Sequence, residues 1–173
     1  MANELYTRTN QKIFYAGLAL ESWRKAEQGQ SMNALALIQA EREAALFHLY
    51  GALLGLCHEI AGYYRLPNDS AARAEDLLDP AQLGAAPAPE LAELVELAGN
   101  RETWLAHLLV AYAELFQPPR AEKKVKIDPR TPLIEALSLD AQEEPALARE
   151  TLESWRTELK GLARRFRETL SEW

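Results

Sequence analysis

Residues 40–64, AEREAALFHLYGALLGLCHEIAGYY, decide how this chain is read. The stretch holds two of the three histidines, the single cysteine and three glutamates inside one of the most apolar runs of the sequence. Ala, Leu and Glu are strong helix formers, and no proline interrupts before Pro67. On a helical wheel Glu41, His48 and Glu59 share one side with Ala44, Ala45, Ala52, Gly55 and Gly62. Leu46, Leu49, Leu53, Leu56, Ile60 and Tyr64 form a second flank, while Phe47, Leu54 and His58 occupy a third. Apolar groups therefore cover most of the circumference, as in a central helix. The small-residue side permits close approach of a neighbour. Glu41 and His48 lie about 10 Å apart along the axis, and His48 and Glu59 about 16 Å, so one helix does not converge them. Such polar groups are expected to make hydrogen bonds across a bundle or to line a solvated seam.

Working outward, this helix is predicted to begin near Ser31, as N-cap, and to end at about Arg65. It would be roughly 50 Å long and form the spine. Gly51, Gly55 and Gly62 mark the places where it would bend. A preceding helix spans about Asn3 to Glu27, with Leu5, Ile13, Ala16, Gly17, Leu20 and Trp23 at helical spacing and Gly29 as its stop. Residues 66–89 hold four prolines and read as a connector with one or two helical turns. A third helix runs from Pro89 or Glu90 to Gly99 and a fourth from about Arg101 to Gln117, ended by Pro118 and Pro119. Residues 118–145 read as a mobile loop or an extended segment across the bundle.

The last helix opens near Pro145. Its residues Leu152, Trp155, Leu159, Leu162, Phe166, Thr169 and Trp173 alternate three and four apart, a heptad-like seam. No strand or hairpin signal interrupts this pattern. The expectation is an all-α, mainly antiparallel bundle of four to five helices, one domain over 1–173, with a long central second helix and a long C-terminal helix.

The 173 residues carry a net charge of −7, unevenly placed. Residues 1–65 balance, 66–117 are acidic, and 118–130 concentrate Arg120, Lys123, Lys124, Lys126 and Arg130. The acidic total opposes broad capture of nucleic acid. Arg120, Lys123, Lys124 and Lys126 keep a local phosphate contact open, although no aromatic residue accompanies them for base stacking. One cysteine excludes an internal disulfide, and MANELYTRTNQKIF has no apolar signal-peptide core. A cytoplasmic protein is expected. No membrane span is expected, because Arg42, Glu43, His58, Glu59 and Arg65 interrupt the apolar candidate.

Chemical motifs are sparse. The residues three before His48, His58 and His107 are Ala45, Gly55 and Trp104, so the Glu-x-x-His pairs of di-iron bundles are absent. There is no His-Glu-x-x-His, no cysteine pair, no Walker loop and no Gly-x-Ser-x-Gly elbow. No metal and no cofactor are expected, and Cys57 reads as inert packing. One arrangement is sharper: Arg42 and His48, separated by five residues within AEREAALFHLYGALLGL. This resembles the helix of HEPN-type bundles, a class that includes RNases and non-catalytic partners of nucleotidyltransferases. The resemblance implies metal-independent RNA cleavage by Arg42 and His48, usually from paired subunits. Glu43 departs from the polar residue common after that arginine, and a straight helix separates the two side chains by about 120°.

Taken whole, the chain resembles a family of short bacterial proteins, known from pseudomonads and their relatives and catalogued as a domain of unknown function. The carrying segments are NELYTRTNQKIFYAGLALE, AEREAALFHLYGALLGLCHEIAGYYRLP, LFQPPR and FRETLSEW. The resemblance implies no activity. The functional expectation is thus a non-enzymatic interaction or regulatory protein that contacts a protein partner or a second copy. Trp155, Leu159, Leu162, Phe166 and Trp173 are the expected contact residues. A HEPN-like RNase and a nucleic-acid accessory protein are the alternatives.

Overall fold

A computed structural model describes residues 2–84, 87–118 and 147–171. Among these, the chain forms helices α1 (Ala2–Gln28), α2 (Ala34–Tyr63), α3 (Ala74–Leu77), a 3-10 turn (Pro80–Gly84), α4 (Pro89–Gly99), α5 (Trp104–Glu114) and α6 (Arg149–Ser171), with no strand. The all-α expectation holds, and each predicted helix is present. The expected loop over 118–145 and Trp173 lie outside the described residues, Pro118 excepted.

The α1–α2 hairpin is the most extensive helix pair in the fold. A short connection makes the two helices antiparallel neighbours. Ser31 does not cap α2 as predicted: its hydroxyl bonds to Asn33 Oδ1, and the helix starts at Ala34 with no side-chain cap. At the other end Arg65 takes a left-handed φ of 53°, and Leu66 N–H reaches back to Ala61 O at 2.9 Å. That closure satisfies a terminal carbonyl before Pro67 turns the chain away. The fourth predicted helix starts three residues late. Thr103 is its cap, its hydroxyl accepting from Ala106 N–H at 3.2 Å.

α2 runs unbroken through its three glycines and is the spine. Leu49, Leu53, Leu56, Cys57 and Ile60 have no exposure at all. By length and mean hydropathy (1.3) it is apolar enough to cross a bilayer, but 67% of that window is buried inside the fold. α1 and α6 cover one part of it, α3, α4 and α5 the rest. Close approach of α1 requires glycine: a Cβ on Gly55 would lie 2.7 Å from Thr9 Oγ1 and 3.4 Å from its Cα.

The polar residues of α2 lash these neighbours on. Tyr50 donates to Glu75 Oε2 (2.7 Å), accepts from Ala74 N–H (3.0 Å) and stacks on Tyr112 at 3.8 Å between centroids. His58 Nε2 lies 2.8 Å from Ala71 O, and Tyr64 donates to Glu90 Oε2 at 2.8 Å. Glu59, whose side chain is wholly buried, receives both arms of Arg167 from α6 at 2.7 and 2.8 Å. Arg167 also donates to Asn10 Oδ1 at 2.8 Å and lies over the Tyr6 ring, tying α1, α2 and α6 together.

Two consequences are testable by urea denaturation. Arg167→Ala leaves a buried carboxylate without its cation and should cost about 3 kcal/mol; Arg167→Lys, lacking the two-armed fork, should recover only part of this. Gly55→Val should cost about 2 kcal/mol by wedging α1 from α2, and Thr9→Ala beside it should recover part of that loss.

Candidate functional site

Arg42 and His48, the predicted catalytic pair, are six residues apart on α2, a rise of about 9 Å. The structure seats them against different parts of α1. The Arg42 guanidinium lies over the buried Trp23 ring, 5.0 Å from its centroid, and donates to Gln39 Oε1. His48 lies edge-on to Tyr15 and Phe47, each 5.4 Å between centroids. Tyr15 and Trp23 are themselves about 12 Å apart along α1. Burial, with Lys12 nearby, pushes the His48 pKa below its usual range and favours the neutral ring. His48 lines a shallow groove that Arg42 does not line.

The C-terminal seam is used inside the chain. Trp155, Leu159, Leu162 and Phe166 are all buried in the common core, where α6 packs on α1, α2 and α5. Their spacing correctly marks a contact face, but the chain's own helices fill it. The side chains expected at a partner surface thus face the chain's own core. Trp173, Arg120, Lys123, Lys124 and Lys126 lie outside the described residues.

Among the apolar side chains left outside the core, one joined set lies on the far face of the α1–α2 hairpin. On α1 the core stripe is Ile13, Ala16, Leu20 and Trp23, all buried. Phe14 and Leu18 point away from it and are 59% and 52% exposed. Across the groove on α2, Phe47 is 49% exposed. These side chains are contiguous: Phe14 meets Tyr15 at 6.3 Å between centroids, Tyr15 meets His48, and His48 meets Phe47. Lys12 Nζ sits 4.9 Å above the Phe47 ring. The groove between the ridges, about 340 Å³, is lined by Tyr15, Leu18, Ala19, Ser22, Glu41, Ala44 and His48. Ser22 donates to Glu41 Oε1 at 2.8 Å on its wall. Sequence reading missed this face. Its signal was present as an apolar i, i+4 pair, Phe14 and Leu18, on the side of α1 opposite the core stripe.

The geometry suits binding by contact: an apolar patch with a cation at one end and a carboxylate at the other. Among the described residues no group of three or more His, Cys, Asp and Glu is arranged to hold a metal ion.

A family model described as "Family of unknown function (DUF6586)" matches residues 1–173. The chain belongs to this family. No curated protein matches it, and no solved structure does. Its family description names no activity, so any functional reading rests on the surface just described.

Cys57 is fully enclosed, and burial pushes its thiol pKa up to about 12. The thiolate is the reactive form. At pH 8 the native protein should therefore leave a thiol-specific chromogenic reagent unconsumed, and denaturant should release one reactive thiol per chain.

Proposed function

We propose that the chain is a protein-binding helical module that docks through the outward face of the α1–α2 hairpin. The observation that carries this reading is the contiguous set Phe14, Tyr15, Leu18 and Phe47, 40–59% exposed, of which Tyr15 and Leu18 line a groove. Single exposed apolar residues are ordinary, but a joined patch of aromatic and aliphatic side chains rimmed by charge is the composition of an interface. Burying these four side chains would contribute several kcal/mol at about 25 cal/mol per Å². Binding, rather than catalysis, also agrees with the separate seating of Arg42 and His48.

A photo-reactive aromatic residue at position 18, introduced in living cells, tests the surface directly. Irradiation should give covalent protein adducts from position 18 and none from the same probe at position 160, on the exposed side of α6. Phe14→Asp with Phe47→Asp should remove the adducts. Both rings are about half exposed, so the double substitution should change stability by only about 1 kcal/mol. Equal adduct yields from positions 18 and 160, or none from position 18, would contradict the reading.

A further inference from the structure

The hairpin face carries a charge pattern that selects its own copy. Lys12 marks one end of the patch. Its stem packs at the level of Gly51, where an added Cβ would lie 3.2 Å from Lys12 Cδ. Its ammonium reaches over Phe47, and no carboxylate lies within 4 Å of it among the described residues. Burial, together with the positive charge of Arg8 one turn before, lowers the Lys12 pKa. Glu41 marks the other end. It lines the groove, accepts from Ser22 and has no ion-pair partner among the described residues either. The cations on that end of α1, Arg24 and Lys25, are both paired with Glu21, and Arg42, next to Glu41 on α2, lies over the Trp23 ring instead. One face thus holds a cation and a carboxylate that its own chain does not match.

The two charges are ten residues of α2 apart in level, Gly51 to Glu41, or about 15 Å. The apolar centre lies midway between them, near Phe47 and Leu18. A two-fold axis lying in the face and crossing the helices at that midpoint stacks α1 on α1 and α2 on α2, antiparallel. It brings Lys12 of each copy opposite Glu41 of the other, twice, with the Phe47 and Leu18 ridges between. An axis parallel to the helices keeps each residue at its own level and leaves both charges unmatched, so the charge pattern favours the first arrangement. The size is adequate: two helices side by side, roughly 20 Å wide over about 40 Å, offer about the 800 Å² per partner of a stable interface.

We propose that the occupant of the hairpin face is a second copy of this chain, docked about that two-fold axis with Lys12 and Glu41 paired in both directions. The proposal rests on the protein-binding reading of the same face and names its partner.

Charge exchange tests it on the full chain by sedimentation equilibrium. The wild type should be a dimer at micromolar concentration. Lys12→Glu and Glu41→Lys should each weaken association more than about 10-fold, because each places like charges opposite one another twice. Mixed in equal amounts, the two variants should associate with each other at near wild-type strength, since both pairs are then restored. The chain carrying both substitutions should dimerise with itself. Melting curves identify a variant that unfolds; for such a site Lys12→Gln or Glu41→Gln replaces it, expected to weaken association several-fold without rescue on mixing. A wild type that stays monomeric at ~100 µM, a weak limit for a homodimer, overturns the proposal. So does a mixture no tighter than its folded parts. A monomeric wild type that still gives adducts to other proteins from position 18 ends this proposal and spares the binding face; loss of both ends the two together.

Discussion

The close approach of α1 and α2 at Thr9 and Gly55 is the contact on which the rest of the structure depends. A Cβ at position 55 would meet the Thr9 hydroxyl at 2.7 Å, so the two backbones can lie this near only because one residue has no side chain. With α1 held against the small-residue side of α2, the Leu-rich flank is left for α4 and α5, and α6 packs on both helices of the hairpin. The same approach fixes what stays outside. α1 turns Ile13, Ala16 and Leu20 inward, which leaves Phe14 and Leu18 outward.

Polar groups on a buried helix are costly unless each finds a partner. Four polar residues of α2 and its C-cap meet this with separate neighbours: Tyr50 to Glu75, His58 to Ala71, Glu59 to Arg167 and Tyr64 to Glu90. Burial together with the Glu75 bond raises the Tyr50 pKa, and burial together with the Glu90 bond raises that of Tyr64 to about 12, so both remain hydroxyl donors through the physiological range. The bonds these residues make favour one register, because sliding a neighbour by one turn would strand a buried donor or carboxylate. The chemistry suggested by their crowding in sequence is spent on holding helices together. Glu41 and His48 differ, because they line a groove that stays open.

Much of this was legible beforehand, for a local reason. Helix existence follows from composition and period, so the spine, Pro89–Gly99 and the C-terminal helix were all predicted. The wheel also separated Arg42 from His48, as the structure does. Boundaries were less secure where a side chain had two possible uses: Ser31 gave its hydroxyl to Asn33, and Thr103 caps a helix that was expected to begin at about Arg101. The expected contact residues Trp155, Leu159, Leu162 and Phe166 pack inside the chain for a deeper reason. The seam through Trp155, Leu159, Leu162 and Phe166 was identified as a contact face, and it is one. An amphipathic stripe states that a face will be covered, and says nothing about which chain covers it.

By itself, then, the sequence determined the helical class, the central position of residues 34–63 and the absence of the familiar metal and nucleotide motifs. These follow from hydrophobic period and residue type, which act within a few turns of one helix. Only the tertiary structure decided that α6 is consumed by the core while Phe14, Leu18 and Phe47 are left over. That outcome depends on which helix reaches α2 most closely, and a single glycine opposite a threonine, 46 residues apart, sets it through contact across the chain.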